Sequence, residues 1–109
     1  MEPVQGAFRA LGDPTRRQIL MHLADGEQTI GELVDRFPMT RAAVKKHLTV
    51  LEEGQLITVR PRGRERVNRL EPEGLRLTAE WISYFSRFWD DRLGDLQAAI
   101  EQEGQATND

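Results

Sequence analysis

The chain has 109 residues, of which 39% are apolar, and this length and composition predict one compact domain with a modest core. It contains no cysteine, which excludes disulfides, thiolate metal sites and a cysteine nucleophile. No apolar run approaches the roughly 18 residues of a membrane span, and the opening MEPVQGAF lacks the basic and apolar regions of a secretion signal, so we expect a cytoplasmic protein.

Positive charge is concentrated in one part of an acidic chain. The net charge is −3, but residues 40–70 hold eight Lys or Arg and three acidic residues, a local balance of +5. The rest of the chain therefore carries −8. The segment RPRGRER at 60–66 alone contains four arginines. Such segregation predicts one face that binds a polyanion.

Apolar periodicity predicts two helices at the start of the chain. The helical spacing i, i+3, i+4, i+7 is followed by Val4, Ala7, Phe8 and Leu11. Asp13 and Pro14 then predict the N-cap and first-turn proline of a second helix, which ends near Asp25 and Gly26. Its buried side is predicted to contain Ile19, Leu20 and Leu23.

Two further helices are separated by a tight turn. Thr29 and Glu32 have the spacing of a capping box, which predicts a third helix that stops at Pro38. Its apolar stripe is Ile30, Leu33, Val34 and Phe37. Thr40 can cap a fourth helix, whose inward stripe is Val44, His47, Leu48 and Leu51. Two helices joined so closely predict a helix-turn-helix.

The outward face of the fourth helix carries residue types suited to DNA. At about 100° per residue, small and basic side chains lie opposite the apolar stripe. The small side chains allow close approach to a groove, and the cations can contact phosphates or guanine. The predicted DNA contacts on this recognition helix are Thr40, Arg41, Ala42, Lys45, Lys46 and Thr49.

A β-hairpin is predicted directly after the recognition helix. The helix should end at Gly54 or Gln55, and the segment LITVR at 56–60 is rich in β-forming residues, with 65–70 as its partner strand. The hairpin tip is then Pro61, Arg62, Gly63 and Arg64. A hairpin in this position is a wing, whose arginines are predicted to contact the DNA backbone or minor groove. These arginines are Arg60, Arg62, Arg64 and Arg66.

Together these motifs resemble the ArsR/SmtB family of bacterial winged-helix repressors. FRALGDPTRRQIL at 8–20 looks like the family's opening signature, and VKKHLTVLEEGQLI at 44–57 is similar to its S-x-H-L-x-x-L-x-x-x-G-L-V recognition segment. GRERVNRL at 63–70 resembles its wing strand. The resemblance implies a dimeric DNA-binding repressor. Lys45 stands where the family often has serine, and Gln55 where glycine is usual.

Neither metal binding nor catalysis is expected. The chain lacks the cysteines and paired histidines by which the family's metal sensors bind metal, so we expect no metal-dependent induction. His47 is interpreted as a structural histidine, and His22 has no partner at ligand spacing. The acids Asp90, Asp91 and Asp95 are interpreted as solvated. The chain has no P-loop, Rossmann glycine pattern or nucleophile elbow, which predicts no enzyme and no cofactor.

The last third of the chain is predicted to be one long dimerisation helix. Glu71, Pro72 and Glu73 predict its start, and the helical pattern runs to about Gln102. Five of the seven aromatic residues lie between 81 and 89, more than so small a core can bury, which is typical of a subunit interface. The predicted interface adds the first helix and comprises Val4, Phe8, Trp81, Ile82, Phe85, Phe88, Trp89, Leu93 and Leu96. Residues 103–109 are predicted to form a flexible tail.

The sequence thus predicts a mainly α fold with a small β-hairpin: a winged helix-turn-helix of five to six helices that dimerises through its terminal helices. One domain covers 1–102, with the dimerisation helix at about 72–102. The favoured function is a sequence-specific DNA-binding regulator, a homodimeric repressor on a palindromic operator. Its partners are double-stranded DNA and a second copy, without a membrane; the inducer is unknown.

The alternative function is a winged-helix module whose basic face binds an acidic protein. Positive charge lies on both the recognition helix and the wing. Duplex DNA contacts these two surfaces together, whereas a single acidic partner need not. The charge distribution therefore favours DNA. The sequence does not identify the operator or the regulated genes.

Overall fold

The computed structural model describes residues 4–107, which form six α-helices and three β-strands. The helices are α1 (Val4–Leu11), α2 (Pro14–Ala24), α3 (Ile30–Val34), α4 (Arg41–Glu53), α5 (Pro72–Ser83) and α6 (Ser86–Thr107). The strands are β1 (Gln28–Thr29), β2 (Ile57–Arg62) and β3 (Glu65–Leu70). The predicted winged helix-turn-helix fold is confirmed. The chain divides into two compact units, with the boundary after Thr78.

Side-chain caps fix the start of three helices in the first unit. The Asp13 carboxylate accepts a hydrogen bond of 3.0 Å from the backbone N–H of Arg16, and this bond lowers the pKa of Asp13. Thr29 and Glu32 form the predicted capping box, in which each side chain accepts from the other's backbone N–H at 3.1 Å. Thr40 caps α4. Because each cap satisfies a free amide, these helices begin where the sequence predicts.

The sheet is antiparallel in the order β1-β3-β2. The predicted hairpin is present, but its turn contains only Gly63 and Arg64. The φ angle of Gly63 is +63°, which glycine adopts without steric cost. Pro61 and Arg62, which were predicted at the tip, belong to β2 instead. Proline has no N–H to donate to a neighbouring strand. It is tolerated in β2 because β2 is an edge strand, and its open side forms no hydrogen bonds within the sheet.

The turn from α4 into β2 has the hydrogen bonds of a Schellman motif. Gln55 has a φ of +62°, and its N–H donates to the Glu52 carbonyl at 2.9 Å. The N–H of Leu56 donates to the Leu51 carbonyl at 3.0 Å, and the Leu56 side chain is fully buried. Gln55 therefore occupies the left-handed position that glycine usually takes after a helix.

Replacing Gln55 with glycine is expected to raise the free energy of unfolding by about 0.5–1 kcal/mol. A left-handed conformation is costly for a residue with a Cβ, and this gain exceeds the extra freedom of glycine in the unfolded chain. Urea unfolding followed by circular dichroism measures the change. The matched control is Gln55→Ala, which retains the strain and should be nearly neutral. Equal stabilities of Gln55→Gly and Gln55→Ala would contradict the expectation.

The core of the first unit lies between helices α1 to α4 and the sheet. Its largest fully buried side chains are Ile19, Leu33, Val44, Leu51, Leu56 and Ile57. α1 packs closely on the end of α4, where a Cβ added to Gly54 would lie 2.7 Å from the Gly6 carbonyl oxygen. The core therefore holds α4 by one face, with its other face outward.

The third helix is shorter than predicted. α3 ends at Val34, and the chain continues through turn bonds from the N–H groups of Arg36 and Phe37 to the carbonyls of Leu33 and Val34. These i to i−3 bonds tighten the backbone before Pro38. The Phe37 side chain packs against the core and lies edge-on to His22, with ring centroids 5.2 Å apart. The apolar stripe therefore predicted which side chains pack against the core, but it did not predict where the helix ends.

The predicted long C-terminal helix is two helices, α5 and α6, separated at residues 84–85. The Ser83 hydroxyl donates to the Glu80 carbonyl at 2.8 Å, and the Ser86 hydroxyl donates to the Ser83 carbonyl at 2.6 Å. Such local side-chain bonds compete with a continuous helix. α6 runs to Thr107, five residues beyond the predicted end, so residues 103–107 of the predicted flexible tail are helical. Residues 1–3 and 108–109 of the predicted domain and tail lie outside the described residues.

Candidate nucleic-acid interface

The outward face of α4 is fully accessible. Val44, Leu48 and Leu51 are buried beneath it. The six DNA contacts predicted on the recognition helix are all exposed: Thr40, Arg41, Ala42, Lys45, Lys46 and Thr49. The helix therefore presents one continuous small and basic surface.

The two threonines of this face differ in what they can offer a ligand. The Thr40 hydroxyl oxygen accepts from the Ala43 N–H at 3.1 Å, so its proton can be donated to a phosphate. The Thr49 hydroxyl donates to the Lys45 carbonyl at 3.0 Å, so its proton is used within the helix. Thr49 consequently offers a methyl group and acceptor lone pairs, which suit contact with a base edge.

Arg16 connects α1 and α4, although the sequence did not single it out. Its guanidinium donates to the Ala10 carbonyl at 2.7 Å and to the Arg9 carbonyl at 3.1 Å. Another nitrogen lies 3.3 Å from Nδ1 of His47 on α4, and Asp13 lies 4.0 Å from the same atom. A guanidinium nitrogen can only donate, so Nδ1 of His47 would be the acceptor in a hydrogen bond with Arg16. His47 thus has the structural contacts that its inward position predicts.

The hairpin has two faces, and the register separates the predicted wing arginines between them. Arg66 is on the same face as Val59 and Asn68, because directly paired residues of antiparallel strands share a face. Arg60 and Arg62 lie on the opposite face. Arg62 also lies 3.5 Å from a carboxylate oxygen of Glu27. Arg62 must therefore exchange a protein carboxylate for a phosphate if it contacts DNA.

A cleft of about 310 Å³, here called the wing cleft, lies between α4, the start of α3 and the hairpin. Both predicted sets of DNA contacts meet in it: Arg41 and Lys45 come from α4, and Arg64 and Arg66 come from the wing. The other lining residues are Thr29, Ile30, Gly31, Leu48, Thr49, Glu52, Val59, Glu65 and Asn68. The fold thus places four cations around one concave surface. The predicted DNA contacts that do not line it are Thr40, Ala42, Lys46, Arg60 and Arg62.

The second unit exposes a large apolar surface. Trp89 is 71% exposed and Phe85, the least accessible of the group, is still 40% exposed. The other exposed apolar side chains of this unit are Trp81, Ile82, Tyr84, Phe88, Leu93, Leu96 and Ile100. The predicted interface residues Val4 and Phe8 are half-buried on α1. Exposed apolar surface on this scale is typical of an interaction site.

The part of the chain that the structure describes has neither a candidate metal site nor a candidate membrane-spanning helix. Residues 4–107 contain no group of three or more histidine or acidic side chains placed to hold a metal ion. Within the same residues, no helix combines the length and the apolar character needed to cross a bilayer.

Known proteins with similar sequences and structures are named as helix-turn-helix or ArsR family transcriptional regulators. A family described as a helix-turn-helix domain matches residues 11–60. The HTH-type transcriptional regulator Rv2034 of Mycobacterium tuberculosis is 41% identical over 101 residues, which is 93% of this chain and 92% of that protein.

Two solved structures extend the similarity to the fold. The crystal structure of the ArsR family transcriptional regulator RHA00566 has a TM-score of 0.74 at 34% identity, covering 82% of this chain and 98% of that one. The solution structure of the homodimeric winged helix-turn-helix DNA-binding domain of Mb0332 from Mycobacterium bovis has a TM-score of 0.64 at 26% identity. It covers 77% of this chain and 79% of that one.

Proposed function

The chain belongs to the ArsR family of winged helix-turn-helix transcriptional regulators, and we propose that it is a homodimeric repressor that binds a palindromic operator. It is a DNA-binding regulator and not an enzyme. The observation that carries the proposal is the meeting of recognition-helix and wing cations around the wing cleft. Duplex DNA presents a groove for the helix and an adjacent phosphate backbone for the wing.

The exposed apolar stripe of the second unit supports the homodimer. Trp89, Leu93 and Leu96 follow one face of α6, while Ile82 lies at the end of α5 and Phe85 in the break before α6. Every one of these side chains is at least 40% exposed. A second copy can cover this stripe with the same residues, as a two-fold symmetric interface requires. The structurally similar Mb0332 domain is homodimeric. The contribution of Val4 and Phe8 to the interface stays a prediction.

Two-fold symmetry leads to the palindrome. Two copies related by a two-fold axis present two recognition helices in opposite directions, so each helix reads an inverted copy of the same half-site. Repression follows if the operator overlaps a promoter, because a dimer that covers successive major grooves excludes the polymerase. Repression is also the activity that the ArsR/SmtB resemblance implies.

A selected palindrome is expected to bind two chains with half-sites about 10 base pairs apart, centre to centre. Duplexes are first selected from a random pool, and the best is compared with a duplex that carries one half-site. The palindrome should bind more tightly, since both recognition helices are engaged. Sedimentation gives the number of chains per duplex, and transcription from a promoter that contains the palindrome should fall when protein is added.

Three results would contradict parts of this proposal. One chain on one half-site at micromolar protein would exclude the dimeric mode. Increased transcription would identify an activator. Failure to enrich any duplex, together with salt-sensitive binding to an acidic protein, would favour the interaction-module alternative.

A further inference from the structure

The wing cleft has the size of a small-molecule site as well as the charge of a DNA surface. Its volume of about 310 Å³ lies at the lower end of the range of about 300–1,000 Å³ that is typical of ligand pockets. We propose that it binds a small organic carboxylate with an apolar body, and that this ligand and DNA exclude each other. The proposal rests on the proposed function, because it makes the same surface the site of regulation.

The floor of the cleft contains three apolar side chains, beside the buried polar residues Thr29 and Asn68. Leu48 is only 5% exposed, and Ile30 and Val59 are half-buried beside it. Phosphates are charged and gain little from contact with these apolar side chains. An alkyl or aryl group of a ligand would remove this apolar surface from water, which is favourable.

The rim of the cleft is cationic. Among the described residues, no carboxylate forms an ion pair with Arg41, Lys45, Arg64 or Arg66. Glu52 and Glu65 also line the cleft, so the lining side chains have a net charge of +2. Arginine pairs with a carboxylate through two parallel hydrogen bonds, which gives the rim a preference for that head group.

Exclusion of DNA follows from the identity of the rim residues. Arg41 and Lys45 are predicted contacts of the recognition helix, and Arg64 and Arg66 are predicted contacts of the wing. A carboxylate held by these side chains neutralises charge that DNA needs, and its apolar body occupies the space between helix and wing. Linkage then requires DNA to weaken ligand binding by the same factor.

The test uses octanoate as the probe, with the full chain and its selected operator. Octylammonium has the same chain length and the opposite charge, and acetate has the head group without the chain. Methyl NMR of the free protein should show octanoate-dependent shifts at Ile30, Leu48 and Val59. Operator affinity should fall by the factor 1 + [octanoate]/Kd, with Kd taken from the NMR titration. Octylammonium and acetate should produce neither effect at equal concentration.

Val59→Phe is the matched variant, because it fills the floor and leaves all four rim cations in place. Measured against its own operator affinity without ligand, it should lose both the octanoate-dependent methyl shifts and the response of operator affinity to octanoate. The wild-type methyl map decides the location of the site even if this variant does not fold.

Several results would overturn the proposal. These are methyl shifts confined to the apolar surface of the second unit, equal competition by octylammonium, or octanoate binding in the cleft with unchanged operator affinity. If the chain binds no duplex, the proposed function is wrong, whether or not the cleft binds octanoate. The methyl titration of free protein still reports whether the cleft binds the carboxylate.

Discussion

Replacing Trp89 with aspartate is expected to dissociate the dimer. Because the high-affinity operator complex needs both subunits, it should be lost as well. Trp89 lies at the centre of the apolar stripe of the second unit and is 71% exposed in the single chain. In a dimer that covers the stripe, aspartate would place an unpaired charge in an apolar interface, at a cost of about 3–5 kcal/mol. This corresponds to a roughly 10²- to 10⁴-fold weaker dimer, and two-fold symmetry introduces the charge twice.

Sedimentation equilibrium and operator binding measure the two consequences of Trp89→Asp. Ala98→Asp is the matched control, since it adds the same charge to α6 on the side opposite the stripe and should leave the dimer intact. Single half-site binding by Trp89→Asp should persist at high protein concentration, because the recognition helix and the wing belong to the other unit. An intact dimer for Trp89→Asp would show that another surface joins the subunits.

Replacing Gly74 with alanine is expected to lower the free energy of unfolding by about 3 kcal/mol, the upper part of the usual range for overpacking. A Cβ on Gly74 would lie 1.7 Å from the carbonyl oxygen of Gln55 and 2.7 Å from its carbonyl carbon. Both contacts are with backbone at the turn after α4, which cannot rotate away as a side chain could. The start of α5 must therefore shift or lose its packing. The melting temperature should fall by roughly 10–15 °C.

Gly94→Ala is the matched control for Gly74→Ala. Gly94 also lies within a helix, but a Cβ there would meet nothing within 4 Å. Alanine should therefore stabilise α6 by up to about 1 kcal/mol through its higher helix propensity. Thermal unfolding of both variants at one protein concentration separates the two effects. An unchanged melting temperature for Gly74→Ala would contradict the close approach of α5 to Gln55.

Local chemistry explains why much of the first unit could be predicted from sequence. The caps at Asp13, Thr29 and Thr40 act within three residues of their partners, so the local sequence located three helix starts. The stripe Val44, Leu48 and Leu51 assigned the buried and outward faces of the recognition helix correctly. The same stripe therefore also identified which side chains are available to DNA.

Features that depend on partners distant in sequence could not be predicted. β1 has two residues, too few for any periodicity, and forms because Gln28 and Thr29 pair with residues of β3. One cleft brings together cations of α4 (Arg41 and Lys45) and of the wing (Arg64 and Arg66). This arrangement depends on the register of the hairpin. Arg16 offered one usable signal, since it belongs to the segment that resembles the family's opening signature.

Two further differences have local causes that sequence patterns did not weigh. The stripe from Ile82 to Ile100 predicts one helix, yet the hydroxyls of Ser83 and Ser86 bond to nearby carbonyls where the helix breaks. The prediction placed Arg62 in a four-residue tip, so strand alternation was not applied to it. With a two-residue tip, Arg62 belongs to β2, and alternation places it on the opposite face from Arg66.

The role of the cations around the wing cleft is tested most directly by the affinity of single alanine variants for operator and random duplexes across a salt series. Arg41→Ala and Lys45→Ala should lose about 1–3 kcal/mol on the operator and less on random DNA, because these side chains are expected to reach base edges. Arg64→Ala and Arg66→Ala should weaken binding to both duplexes by a similar factor. Each should also reduce the slope of log affinity against log salt by about one, as loss of one phosphate contact requires.

Arg62→Ala should have a smaller effect than Arg64→Ala, since Arg62 first has to leave Glu27. This pattern would assign sequence recognition to α4 and backbone contact to the cleft side of the wing. Equal losses of specificity from both pairs would show that the wing also reads sequence. Unchanged affinity in all four cleft variants would contradict DNA binding by the wing cleft, because its cations would then serve something other than DNA.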